Sequence, residues 1–147
     1  MEITMKMKYK YRAKRHNGEW VYGSLVWTEH IEPAIYYEVG KGKYYTIHSC
    51  YVNPDTVGQF SETLDKNGKE IYDGDIVTLE LSDKSVIYKL VRFMPEMGSF
   101  CMADTTELQY EGKWTIWHRF DQRYINDYEG TVAGNIYDNP ELLENEE

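Results

Sequence analysis

Cysteine and proline are scarce in this 147-residue chain, and no long apolar run occurs in it. Cys50 and Cys101 are isolated thiols that form neither a Cys-x-x-Cys pair nor a disulfide framework. The fold is therefore expected to rest on its own core, with both thiols reduced. The longest apolar stretch falls far short of the roughly 18 residues that a membrane-crossing helix needs. The first residues are basic but lead into no apolar segment, so no secretory leader is expected. Also missing are a phosphate-cradling glycine loop, a Gly-x-Ser-x-Gly elbow and a His-Glu-x-x-His pair. With no such motif, the chain is expected to be no enzyme, with no catalytic residues, no cofactor and no metal.

Aromatic residues, by contrast, make up 15% of the chain and are mostly tyrosine, and the share of charged residues is ordinary. That mix belongs to a folded, strand-rich protein. The length suits one domain, or two small subdomains sharing a core. The net charge of −9 is unevenly placed. Residues 1–20 hold Lys6, Lys8, Lys10, Arg12, Lys14 and Arg15 against Glu2 and Glu19. Six minus two gives +4 there and leaves −13 for the rest. From Asp127 to Glu147 there are seven carboxylates and no Lys or Arg. A net acidic body repels nucleic acid, so any such binding has to be local.

Met5 to Lys14 alternates apolar and basic residues, the pattern of a half-buried strand. His16-Asn17-Gly18 turns it into a return strand from Trp20 to Trp27. A second hairpin is expected from Ala34–Val39 and Lys43–His48 around Gly40-Lys41-Gly42. Asn53-Pro54-Asp55 is a loop and the expected boundary between a hairpin subdomain, 1–54, and a second subdomain, 55–147. Strands follow at Thr56–Phe60, Asp75–Leu81, Ser85–Phe93 and Ser99–Ala103, with a polar stretch from Ser61 to Lys66. Asn67-Gly68 and Asp73-Gly74 are structural turns, and such pairs close hairpins in type I′ geometry. Trp114, Trp117, Phe120, Tyr124 and Tyr128 recur at spacings of three and four, which fits a helix face, while the β-rich composition and Gly112 leave strands as the alternative. Thr131–Tyr137 reads as a strand with a bulge at Gly134, and Asn139 as the N-cap of a short helix led by Pro140.

Three ordered blocks carry a family resemblance: residues 55–60, Asp-Thr-Val-Gly-Gln-Phe; residues 65–77, Asp-Lys-Asn-Gly-Lys-Glu-Ile-Tyr-Asp-Gly-Asp-Ile-Val; and residues 134–143, Gly-Asn-Ile-Tyr-Asp-Asn-Pro-Glu-Leu-Leu. With Tyr11-Arg12-Ala13 near the start, they resemble the YopX family, small proteins encoded by phages and prophages. The chief departure is Ser61-Glu62, where the family pattern has Thr-Gly. The resemblance implies a mainly β protein, α+β at most, built of antiparallel hairpins. It also implies one or two short helices and a compact, SH3-like, barrel-type C-terminal half. It further implies a phage- or prophage-encoded protein in the bacterial host cytoplasm, and it brings no catalytic residues.

The candidate nucleic-acid face is Lys6, Lys8, Lys10, Arg12 and Lys14, whose charges sit about 6.5–7 Å apart along a strand, near the spacing of phosphates in an extended single strand. Tyr44, Tyr45 or Trp20 are the candidate stacking platforms beside it. A solvated edge guarded by lysines explains the same pattern. Asp65, Asp73 and Asp75 do not make a calcium loop, because Lys69 and Glu70 stand where a ligand and a glycine are needed. His48 and Cys50 share a strand face but supply only two ligands. Asp104, Glu107, Glu111, Asp121 and Asp127, with His118, are the scattered groups from which a hydrolase site would have to assemble. Four Trp and fourteen Tyr exceed what a small core hides, which points to a contact surface. The expectation is a binding protein that self-associates as a homo-oligomer or binds a host or phage protein. The alternative is a nucleic-acid-binding accessory factor.

Overall fold

The computed structural model describes residues 10–105 and 117–143. The chain divides into two units, Met1–Phe60 and Ser61–Glu147. The class is mainly β with antiparallel pairing and little helix, as expected. Asn53-Pro54-Asp55 lies at a short 3-10 turn, Pro54–Thr56, capped by the Asn53 side chain. The units part after Phe60.

The first unit contains β1 (Tyr11–Lys14), β2 (Trp20–Val26), β3 (Ala34–Lys41), β4 (Tyr44–Tyr51) and the start of β5 (Gly58–Leu64). Its sheet runs in the order β4-β3-β2-β1-β5. Alternation decides which side of the strands meets the core. Ala13 stands opposite Val21 and Leu25 opposite Ile35. Ala13, Val21, Ile35 and Val52 are buried together on that side.

The second unit holds the end of β5, then β6 (Glu70–Tyr72), β7 (Asp75–Glu80), β8 (Val86–Met94), β9 (Ser99–Asp104), β10 (His118–Arg119), α1 (Gln122–Asp127) and β11 (Thr131–Asn135). Five of these form a sheet in the order β10-β9-β8-β7-β11. The sheet is open rather than closed into the barrel that the resemblance implies. A closed barrel covers its core with its own strands, whereas here Ile71 of β6 and Ile125 of α1 pack on Val77, Leu79, Val91 and Met102.

Both glycine turns exist, but neither is type I′. Gly68 has φ +82°, while Asn67 is not left-handed. The Gly68 N–H donates to the Asp65 carbonyl at 2.9 Å, and the Asp65 N–H to that of Lys69 at 2.8 Å. That is a type I turn closed by a glycine bulge. Gly74, at φ +92°, is a corner instead of a hairpin: β7 pairs with β8 and β11. The bulge at Gly134 is present, with the β11–β7 register shifting between Val132 and Gly134.

Three segments differ from expectation. The polar stretch after Phe60 continues β5 as far as Leu64, because the Ser61 hydroxyl donates to the Ile71 carbonyl at 2.6 Å. The aromatic spacing near the end does not mark one long helix. Trp114 lies outside the described residues, His118 and Arg119 are a strand, and α1 spans six residues with Ile125 as its buried one. The short helix led by Pro140 is present as a 3-10 turn, Pro140–Leu143, and the Asn139 carbonyl accepts the Leu142 N–H at 3.0 Å. The Asn139 side chain, however, turns back: its oxygen accepts from the Asn135 N–H at 3.2 Å.

Glu62 has φ +63°, the left-handed region where an L side chain strains the backbone and glycine does not. It is exposed, and the family pattern has glycine there. Glu62→Gly is therefore expected to raise stability by about 0.5–1 kcal/mol, read as a higher urea midpoint. An unchanged or lowered midpoint would show that the strain is absent.

Candidate functional site

The sheet of the first unit has one side on its core and one side open. On the open side lie Tyr22, Ser24 and Val26 of β2, Ala34, Tyr36 and Glu38 of β3, and Tyr45, Ile47, Ser49 and Tyr51 of β4. All of these are exposed except Ala34, which is half-buried. Registry makes them one surface: Ser24 stands opposite Tyr36 and Val26 opposite Ala34, and Tyr36 stands opposite Ser49 and Ala34 opposite Tyr51. Ile47 is 64% exposed and Tyr51 55%. Large apolar groups left open together in this way form an exposed patch of the kind from which contact surfaces are built.

Strand β4 lies at the edge of that sheet among the described residues. Along its length Cys50 alone is not exposed, and Tyr44 at its start is 80% exposed. From Tyr44 to Pro54 there is no Lys, Arg, Asp or Glu. Edge strands usually carry a lysine, a proline or a bulge that discourages pairing; β4 has none of the three, and its register with β3 is unbroken over all eight of its residues.

Beside β4 is a groove of about 220 Å³ lined by Val26, Ile31, Ala34, Tyr36 and Tyr51, with Glu32 among its lining residues. Glu32 pairs with His16 at 2.8 Å. The groove is too small for most organic cofactors and large enough for one side chain of a partner.

The basic strand is placed only in part. Lys6 and Lys8 lie outside the described residues. Arg12 stands opposite Tyr22 and Lys14 opposite Trp20, so both share the open side. The Arg12 guanidinium is 4.6 Å from the centre of the Trp20 ring and the Lys14 amine 5.4 Å, within cation–π range. Arg12 is only 5% exposed, so its guanidinium is not displayed as a row of solvated lysines would be. Lys10 and Lys14 are half-buried. On the core side, Arg15 donates to the Tyr37 hydroxyl at 2.9 Å. That bond, with Cys50 nearby, holds the guanidinium more firmly protonated than usual.

The acidic candidates do structural tasks. Asp65 accepts three backbone N–H groups: Asn67 at 2.8 Å, Lys69 at 2.9 Å and Val132 at 3.0 Å. Asp73 accepts the Phe93 N–H at 2.9 Å and Arg92 Nε at 3.1 Å, and Asp75 accepts the Tyr72 N–H at 2.7 Å. Asp121 caps α1 through the Tyr124 N–H at 3.1 Å. Asp104 pairs loosely with Lys89 at 3.9 Å and Asp127 with Arg123 at 3.6 Å. Glu107 and Glu111 lie outside the described residues. Among the described residues no three metal-ligating side chains gather. His48 bonds to the Thr46 hydroxyl at 2.8 Å and stacks on Tyr37 at 5.8 Å, while the Cys50 side chain packs at the margin of the core. His118 borders a smaller hollow with Leu81, Tyr124 and Tyr128 in the second unit.

The strongest surface signal thus lies in β2–β4, whose role as an open face the spacing of residues does not announce. One trace was available: Tyr44 and Tyr45 are adjacent and Ile47 follows two places on, so whichever side met the core, a large group would be left outside.

These features define a two-unit antiparallel β protein whose first unit carries an exposed, aromatic-rich sheet face. The family model described as YopX protein matches residues 10–144, and the chain belongs to that family. No curated protein matches it. Its fold is similar to the crystal structure of protein EF1440 from Enterococcus faecalis, with a TM-score of 0.56 over 95% of this chain and 100% of that one. At 21% identity, this likeness concerns the fold alone. Among the described residues, no helix is long and apolar enough to cross a membrane.

Proposed function

We propose that this protein acts by binding another protein chain, a second copy of itself or a host protein, through the open side and edge of its first unit. It is read as a phage- or prophage-encoded protein of the bacterial cytoplasm that carries out no chemical step. The observation that supports the reading most is the uncharged, exposed β4 beside Tyr22, Tyr36, Ile47 and Tyr51. Contact surfaces of this kind take most of their affinity from a few aromatic anchors. Sedimentation velocity tests it. The wild type is expected to run heavier than a single chain, or as a defined complex with an added host protein. Tyr36→Lys combined with Tyr51→Lys is expected to run as one chain with an unchanged circular dichroism spectrum. A wild type that remains one chain and holds no partner at high micromolar concentration defeats the reading.

A second reading is favoured by one arrangement, the half-buried Lys14 within cation–π reach of Trp20 on the same side as Tyr22, with the buried Arg12 also against that ring. Basic groups interleaved with aromatic rings suit single-stranded nucleic acid. Its expected result is a salt-sensitive quench of tryptophan fluorescence by an oligonucleotide, abolished in Lys10→Glu/Lys14→Glu. No quench at low salt ends it.

A further inference from the structure

We propose that two copies of this protein join edge to edge through strand β4, antiparallel, about a two-fold axis at His48. The inference rests on the binding reading above and gives it a partner and a register.

The hydrogen bonds of β4 show which of its groups are available. The Val52 N–H donates to the Pro33 carbonyl at 3.0 Å, so at Val52 the backbone points towards β3. The register from Ala34 opposite Tyr51 to Lys41 opposite Tyr44 is continuous. Backbone direction alternates along an antiparallel strand. Cys50, His48, Thr46 and Tyr44 therefore also face β3, while Tyr45, Ile47, Ser49 and Tyr51 point their N–H and C=O groups out of the sheet. Among the described residues, no other strand takes them up.

An antiparallel pair of identical strands has a two-fold axis perpendicular to the sheet, so one side chain faces its own copy. With His48 at the axis, Tyr45 pairs with Tyr51 of the second copy and Ile47 with Ser49 of the second copy. Every outward group in both strands then has a partner. Moving the axis to Ile47 or to Ser49 leaves Tyr51 or Tyr45 hanging beyond the pairing. Symmetry and hydrogen bonding thus select one register.

Charge selects a second copy over an arbitrary strand. The exposed tip of the β3–β4 hairpin carries Lys41 and Lys43, and its other end carries the exposed Asp55, with exposed Glu29 and Glu32 in the loop before β3. Antiparallel pairing lays the basic tip of each copy beside the acidic base of the other, twice over. Parallel pairing would set lysine against lysine and acid against acid. Between the charged ends the paired side chains are tyrosine, isoleucine, serine, threonine, cysteine and histidine, with no Lys, Arg, Asp or Glu among them.

The register can be tested by cross-linking. In the proposed pair the two His48 positions form a non-hydrogen-bonded pair, with Cα atoms about 4.5 Å apart, inside disulfide range. In a Cys50→Ser background, His48→Cys is expected to give a disulfide-linked dimer under mild oxidation, and Ile47→Cys far less. Ile47→Pro removes an outward donor while leaving the ladder to β3 intact. It is expected to sediment as one chain with an unchanged circular dichroism spectrum. If Ile47→Cys links faster than His48→Cys, the register is wrong. If the wild type assembles, Ile47→Pro still assembles and His48→Cys does not link, β4 pairing is overturned while binding through the open side stands. If the wild type is one chain at high micromolar concentration, self-pairing is overturned outright.

Discussion

Asp65→Ala is expected to lower the stability of this protein by about 3–4 kcal/mol, one of the largest effects of any single polar substitution in it. The carboxylate is 6% exposed, and its two oxygens hold three backbone N–H groups, two in the Asn67-Gly68 turn and one on β11. Hydrogen bonds from an N–H to a charged acceptor are worth roughly twice neutral ones. Removing the acceptor also leaves three backbone donors unpaired, of which the one on half-buried Val132 is the least open to water. Nearby, Lys66 and Glu129 form an ion pair at 2.8 Å that raises the lysine's pKa. Both are more than half exposed, so screening makes that pair a minor contributor.

Asp65→Asn separates charge from shape. An amide has one accepting oxygen and one donating nitrogen, so it can serve the turn or β11 but not both. A loss of about 2 kcal/mol is expected, between wild type and alanine. Urea unfolding with an unchanged slope checks both values. An alanine variant with the wild-type midpoint would show that the three contacts contribute nothing to the folded state.

The residues that carry the family resemblance turn out to govern backbone path. Asp65, Gly68, Asp73, Gly74 and Asp75 form a turn and a corner, and Gly134, Asn135 and Asn139 form the bulge and turn after β11. That is why architecture was legible in the sequence while function was not. A turn must use particular residues at particular φ values, and this leaves a readable pattern. A binding surface needs only that large side chains stay outside, and no spacing records that.

The first hairpin was legible because Tyr11 to Lys14 alternates in period two and Asn17-Gly18 interrupts it. The end of β5 was not, because Ser61 and Thr63 are polar, and what holds them in strand geometry is a hydroxyl bond to a residue ten positions away. The segment around Phe120 misled for a different reason. Spacings of three and four arise equally when Phe120 enters the core from beside a strand and Tyr124 and Tyr128 follow on and after a short helix, where their rings meet at a tilt with centres 5.4 Å apart. The binding candidates were legible as residue types only. Arg12 and Lys14 were visible as charges and Trp20 as a stacking platform, but that both cations reach the Trp20 ring follows from the pairing of β1 with β2.

The second large effect is expected at Gly134. A Cβ there would lie 2.4 Å from the Asn139 side-chain oxygen, 2.6 Å from its Cγ and 2.9 Å from its Cβ. The collision cannot be relieved by moving a loose side-chain tip. That oxygen accepts the Asn135 N–H, and the Asn139 N–H is bonded to the Asn135 carbonyl at 2.9 Å. Asn135 in turn accepts the N–H groups of Tyr137 and Asp138 at 2.9 and 2.8 Å. Gly134→Ala must therefore either break the Asn139 bond or distort the bulge where β11 meets β7. Overpacking of a fixed site together with one lost hydrogen bond is expected to reduce stability by about 2–3 kcal/mol. A double-mutant cycle identifies the cause. In an Asn139→Ala background most of the colliding atoms are already gone, so the same alanine should cost at least about 1 kcal/mol less. Strict additivity would mean that Asn139 is not what makes glycine necessary, and that the bulge itself rejects a side chain.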